Sequence, residues 1–148
     1  MIVDDLKLTG HLTVDLVAAD GTVKETQSIP NLVVTTGKVF VASRMAGTSA
    51  SVMSHMAIGT SNTAAAAGDT TLGSEVARVA LTSTTASSND VTYVATFPAN
   101  TPSSAAGVVE AAILNASSNG TMLCRTVFSV INKAPTDSLS ITWVVSAS

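Results

Sequence analysis

The chain has 148 residues, of which 46% are hydrophobic, 11% charged and 3% aromatic, and its net charge is −3. This length suits one domain over residues 1–148, and the apolar share disfavours intrinsic disorder. The seven Lys and Arg residues are scattered without a basic stripe, which argues against a nucleic-acid partner. So little charge is typical of a surface that packs against other proteins.

The N-terminal residues MIVDDLKL contain neither the basic nor the apolar region of a secretory signal. No apolar run reaches the length of about 18 residues that marks a membrane helix. We therefore expect a protein that folds in a cytoplasm and has no membrane partner. Cys124 is the only cysteine and cannot form an internal disulfide, so a buried small side chain is expected there.

The first predicted element is a β-hairpin over residues 6–28. Leu6–Val17 alternates apolar and polar side chains, which indicates a half-buried strand. Gly10 falls on its apolar face and suggests a bulge. Asp20-Gly21 is a strong turn signal, and a polar strand over 22–28 returns until Pro30 ends it.

One short helix is predicted over Gly37–Met45, with Thr36 as its N-cap residue. Helical spacing places Val39, Phe40, Ala42 and Met45 on one broad face.

Further strands are expected at 53–58, 76–85, 91–97, 108–114, 121–131 and 138–145, and 91–97 is expected to pair with 76–85. The last strand presents one apolar face, formed by Leu139, Ile141, Trp143 and Val145. About eight short strands separated by turn residues predict an all-β fold. The specific prediction is a jelly-roll-like antiparallel β-sandwich with at most one short helix.

Residues 58–78 read IGTSNTAAAAGDTTLGSEVAR. This stretch lacks the Gly-Lys-Ser/Thr of a P-loop and the third glycine of a dinucleotide site. We expect an extended connection of small residues, with a short helix as the alternative. Its Ala, Ser and Thr side chains lose little entropy on packing. The sequence leaves open whether it covers its own domain or a neighbouring subunit.

No catalytic, cofactor or metal residue is predicted. His11 and His55 have no second ligand at a metal-binding spacing. The chain also lacks a Gly-x-Ser-x-Gly nucleophile motif. These observations disfavour an enzyme.

Four charged residues form the candidate structural ion pairs: Glu75, Arg78, Glu110 and Arg125. Glu110 interrupts an apolar strand and Arg125 lies in the middle of another. Buried charges need partners, and Arg can donate two parallel hydrogen bonds to a carboxylate. We expect at least one Arg–Glu pair to join neighbouring strands.

Three stretches resemble a family of small bacteriophage virion proteins. They read NLVVTTGKVFVASRM (31–45), HMAIGTSNTAAAAGDTTLGSEVARVALTS (55–83) and EAAILNASSNGTMLCRTVFSVINKAPTDSLSITWVV (110–145). Related segments occur in capsid cement, or decoration, proteins and in tail-fibre-type proteins. Ala112 stands where that family has glycine in Glu-Ala-Gly-(Ile/Leu)-Phe, and Leu114 stands where it has an aromatic residue.

The resemblance implies a non-enzymatic, jelly-roll-like β-sandwich made in the host bacterial cytoplasm. It implies binding to the major capsid protein on the outside of a phage head, as a homo-oligomer for which a dimer is favoured. Small size and an N-terminal hairpin favour cement over fibre. The strand Leu6–Val17 is then a candidate for edge pairing with another subunit.

Two alternatives remain open at this point. The first is a tail-fibre, baseplate or adaptor component of a phage tail. The second is a carbohydrate-binding β-sandwich on the virion, which is weakened because Tyr93 and Trp143 are the only Tyr and Trp available for stacking on sugars.

Overall fold

The computed structural model describes residues 6–47 and 50–148, which contain nine strands and one helix. The elements in chain order are β1 (Leu8–Val17), β2 (Val23–Val33), α1 (Thr35–Met45), β3 (His55–Gly59), β4 (Glu75–Ala80), β5 (Ser83–Ser87), β6 (Asp90–Phe97), β7 (Ala106–Leu114), β8 (Met122–Lys133) and β9 (Ser138–Ala147).

All pairings between these strands are antiparallel, in the order β4-β3-β7-β8-β2-β1-β9-β6-β5. Strand β2 joins the two halves of the sheet, because it pairs with β1 from Val23 to Asn31 and with β8 only at Leu32 and Val33. The sheet curls so that both halves contribute to one core. The prediction of an all-β antiparallel sandwich with one short helix is confirmed.

The core is built by strand alternation. Leu12, Val14 and Leu16 of β1 face the interior, and the opposite half contributes Met56 and Ile58 of β3 to the same cluster. The predicted apolar face of β9 is also confirmed, because its four members are at most 8% exposed: Leu139, Ile141, Trp143 and Val145. Cys124 is buried as expected.

The N-terminal strands differ from the prediction in three ways. Strand β2 continues through Pro30 to Val33, because up to Asn31 it has a partner strand on one side only and a proline is tolerated there. Gly10 marks no bulge; its missing side chain leaves room for the Asn31 side chain. The third difference is that β1 has no free edge, since β2 and β9 pair with its two sides. The prediction of edge pairing by Leu6–Val17 is therefore wrong.

The predicted strand 76–85 is two strands. Strand β4 pairs with β3, and only β5 pairs with β6. Between β4 and β5 the chain crosses from one half of the sheet to the other at Leu81 and Thr82. The Leu81 amide donates to Ser54 O, next to β3, and the Thr82 amide donates to Val94 O of β6. The pairing expected for 91–97 thus holds for β5 alone.

Helix α1 lies against β8. Its N-cap residue is Val34, and no side chain caps it. The Thr36 hydroxyl donates instead to Met122 O of β8 at 2.8 Å, so the predicted capping role of Thr36 is wrong. Gly37 is buried, and a Cβ there would overlap the Leu123 carbonyl. Glycine therefore permits the close approach of helix and strand.

The broad apolar face predicted for α1 is divided between the core and solvent. Phe40 packs against the core together with Val41. Val39, on the side of the helix opposite to Gly37, and Met45, its last residue, are however 63% and 81% exposed.

Gly37→Ala should destabilise the protein by about 1–3 kcal/mol, because overlap with a backbone carbonyl outweighs the better helix propensity of alanine. The matched control is Gly68→Ala, since a Cβ at Gly68 meets no atom within 4 Å. This control should be neutral or slightly stabilising. Urea unfolding of both variants measures the difference, and equal stabilities would contradict the proposed role of Gly37.

Candidate functional site

The candidate site is a buried ion pair between neighbouring strands. Glu110 lies on β7 and Arg125 on β8, where Arg125 is the register partner of Ala112. Arg125 donates to Glu110 Oε1 from Nη2 at 3.0 Å and from Nε at 3.2 Å. The two side chains are 0% and 3% exposed. The pair thus joins two strands in a place where water screens little of the attraction.

The same carboxylate holds the segment 60–74, which is called the arm below. Glu110 Oε2 accepts hydrogen bonds from the amides of Ser61 at 3.0 Å and Ser74 at 2.8 Å, and Oε1 accepts one from Gly73 at 2.9 Å. Both ends of the arm are therefore bound by one buried side chain.

Arg125 holds the middle of the arm. Its Nη2 donates to Thr63 O at 2.9 Å, and its Nη1 donates to Asp69 Oδ2 at 2.8 Å. Asp69 Oδ2 also accepts the Ala66 amide at 2.9 Å. The cluster of Glu110, Arg125 and Asp69, called the arm network below, thus fixes the arm at its ends and its centre.

Apolar contacts complete the attachment. Leu72 of the arm is 7% exposed and belongs to a second apolar cluster with Val34, Ala57, Ala112, Leu114 and Met122. Ala57 and Ala112 alternate with residues of the main core, so this cluster lies on the outer face of the sheet. The arm consequently covers its own domain, which answers the question left open by the sequence.

The glycines beside the arm allow this packing. A Cβ at Gly59 would overlap Glu110 Oε2, and a Cβ at Gly73 would overlap the Ser61 side chain. The Gly-rich stretch therefore accommodates a carboxylate of the protein itself.

Glu75 and Arg78 form a separate pair on β4. Arg78 donates to Glu75 at 2.7 and 2.9 Å, and its Nη1 also reaches the carbonyls of Ala116 and Asn119. Residues three apart in a regular strand face opposite sides, but β4 has an extra residue at Val76 relative to β3. This irregularity puts both side chains on one face, where they hold the turn between β7 and β8.

A third charged cluster was not predicted. Asp137 accepts Lys24 Nζ at 3.0 Å and the Ala134 amide at 2.9 Å, and buried Lys133 donates to Asp137 O and Pro98 O. The pKa of Asp137 is lowered, first by the Ala134 amide and then by Lys24. Burial lowers the pKa of Lys133. One signal was available, because Lys133 lies two residues after the core residue Ile131 and so shares its face.

The other candidate groups lie apart from the arm network. His11 is exposed on β1, and His55 Nδ1 is 2.8 Å from the hydroxyl of the adjacent Ser54. Burial raises the pKa of the Cys124 thiol, which disfavours the reactive thiolate. Within 6–47 and 50–148, no group of three or more His, Cys, Asp or Glu residues is placed to hold a metal ion.

Comparisons with protein-family models, with curated proteins and with solved structures found no match to this chain. No helix in the described part of the chain is long and apolar enough to cross a membrane.

Glu110→Ala should lower the free energy of unfolding by about 3–5 kcal/mol, because Arg125 would lose its main buried counter-charge. The matched control is Glu75→Ala, which removes a carboxylate that is 34% exposed and should cost at most about 1 kcal/mol. Urea unfolding measures both losses.

Hydrogen exchange adds a local readout for the same pair of variants. The amides of Ser61, Gly73 and Ser74 should exchange faster in Glu110→Ala and at the wild-type rate in Glu75→Ala. Similar exchange of these amides in wild type and Glu110→Ala would contradict the holding of the arm by Glu110.

Asp137→Asn should destabilise the protein at neutral pH and have little effect in acid. The pKa of Asp137 is lower in the folded state, so the carboxylate stabilises the fold above its unfolded pKa of about 4. That contribution is lost as the pH falls through the folded pKa. Urea unfolding of wild type and variant at about pH 7, 4 and 2.5 should show a narrowing difference.

Lys24→Gln serves as the comparison for Asp137→Asn. Its effect should be smaller, because the Ala134 amide is the larger cause of the lowered pKa and Lys24 is 44% exposed. A difference between Asp137→Asn and wild type that stays constant across the pH range would contradict the assignment.

Proposed function

We propose that this protein is a non-enzymatic capsid cement (decoration) protein that binds the outer surface of a bacteriophage head and stabilises contacts between capsomers. Its partners are the major capsid protein and further copies of itself, with a dimer favoured. The resemblance of residues 31–45, 55–83 and 110–145 to phage virion proteins supports the proposal that the protein belongs to a phage particle.

The observation that carries the proposal is that the buried charges of the arm network bind groups of the arm. Glu110 accepts from three amides of the arm as well as from Arg125. Arg125 makes four hydrogen bonds, two to Glu110 and one each to Asp69 and the Thr63 carbonyl. These groups therefore serve to fix the shape of a surface segment.

A fixed surface suits a protein whose task is to bind. Ordering a loop at the moment of docking costs free energy, and a segment held in place beforehand avoids that cost. The arm is rich in Ala, Ser and Thr, and its one charged side chain, Asp69, is bound to Arg125. Such a surface can approach another protein without desolvating free charges.

Stabilisation of the shell follows from mass action. A subunit that contacts neighbouring capsomers together binds the assembled shell more tightly than the separate capsomers. The difference in binding free energy stabilises the shell against the pressure of the packaged DNA.

The test is to add the purified protein to heads that lack it. Saturation should occur at hundreds of copies per head, because a symmetric shell repeats each contact many times, and the temperature of DNA release should rise. Unassembled capsid subunits serve as the control and should bind weakly. Saturation at about a dozen copies would favour a tail component, since a tail repeats its contacts far fewer times.

A further inference from the structure

Helix α1 carries an apolar face that no other part of the described chain covers. Val39 and Ala42 lie on the side of the helix opposite to Gly37, Met45 is the last residue of the helix, and all three are exposed. Apolar side chains on a helix normally face the core. This face points to solvent because α1 contacts β8 through Gly37 instead.

The apolar exposure is concentrated around this helix. In the described part of the chain, the four most exposed large apolar side chains are Leu6 at 67%, Val39 at 63%, Met45 at 81% and Val52 at 60%. Leu6 and Met45 line one groove of about 460 Å³ beside α1. Val52 lines another of about 330 Å³, together with Phe40 and Arg44. Large exposed apolar patches mark interaction sites.

Lysine and arginine side chains are also found around this helix. Four of the seven are bonded to groups away from α1: Lys24, Arg78, Arg125 and Lys133. Lys38 and Arg44 line the two grooves, where Arg44 Nη1 donates to Ala50 O at 2.9 Å, and no Asp or Glu is among the described residues that line them. In a chain with a net charge of −3, the described residues around α1 therefore form a surface that is both apolar and basic.

We propose that this surface is the docking site for an acidic protein surface, in which carboxylates surround protruding apolar side chains. The docking surface is formed by Leu6, Lys38, Val39, Arg44, Met45 and Val52. The inference rests on the proposed function. For a cement protein it identifies which side of the subunit faces the shell, and it predicts that the shell surface in contact with that side is acidic.

Charge and shape select this occupant over two others. A second copy related by a two-fold axis would bring the same cations together, which is unfavourable. An anionic membrane would satisfy the charges, but two concave grooves fit protruding side chains better than a flat lipid surface. The partner chemistry that satisfies both features is an acidic protein surface.

The experiment measures binding of the full chain to heads that lack it. Val39→Ser with Met45→Ser should weaken binding at least about tenfold, because central apolar contacts carry most of the binding energy of an interface. The matched control is Val23→Ser with Val130→Ser, which changes side chains that are 54% and 50% exposed on β2 and β8. The control should bind as the wild type does.

Lys38→Glu tests the charge component of docking. It should weaken binding and make the remaining affinity less sensitive to salt, because attraction between exposed charges is screened. Melting temperatures close to that of the wild type would show that all these variants fold.

The outcomes separate the inference from the proposed function. If the wild type binds heads and the Val39/Met45 variant binds equally well, the docking surface is wrong and the cement function stands. If the wild type does not bind heads, both are overturned. A wild-type dimer in sedimentation that the same variant dissociates would identify a second copy as the occupant. Binding to phosphatidylserine vesicles that the variant loses would identify a membrane instead. Either result would overturn the proposal of an acidic protein partner.

Discussion

A carboxylate and a guanidinium buried on the outer face of a β-sheet lose most of their hydration, and that loss must be offset by charge attraction and hydrogen bonds. Glu110 and Arg125 meet this requirement through each other and through the arm. The arm in turn shields them from water and covers the apolar residues Ala57 and Ala112. The ion pair and the arm are thus mutually dependent, and the outer face of this half of the sheet depends on both.

This arrangement explains several local features that look unrelated along the chain. Gly59 leaves space for the Glu110 carboxylate. Asp69 turns the arm through the Ala66 amide while it also binds Arg125. The small residues between them let the backbone lie close to the sheet, where its amides and carbonyls can reach the two charges.

The opposite side of the half-sheet β3-β7-β8 belongs to the main core, so the domain has one covered outer face and one exposed apolar helix face. The two faces differ in whether a segment of the chain packs on them. The arm brings its own apolar anchor, Leu72, and its own hydrogen-bonding groups to the sheet. Helix α1 turns Val39 and Met45 away from the protein, which leaves apolar area for a partner to cover. The proposal of a cement protein joins these observations, because the arm network fixes one surface segment and the apolar, basic surface around α1 is the proposed docking site.

The sequence by itself determined the fold class, the alternation of β1 and β9, the existence of one helix and the four charged residues worth attention. These features depend on periodicity along a single segment, or on a charge that interrupts an apolar run, and both can be read locally. Only the tertiary structure decided which segments meet. It split 76–85 between two halves of the sheet, placed β1 between two partners and turned the apolar face of α1 outward, because each outcome depends on backbone contacts between distant segments. It also decided that Asp69 and the arm amides complete the Glu110–Arg125 pair, and that Lys133 and Asp137 meet Lys24. Such clusters include residues that are far apart in the sequence, so the spacing of residues along the chain does not predict them.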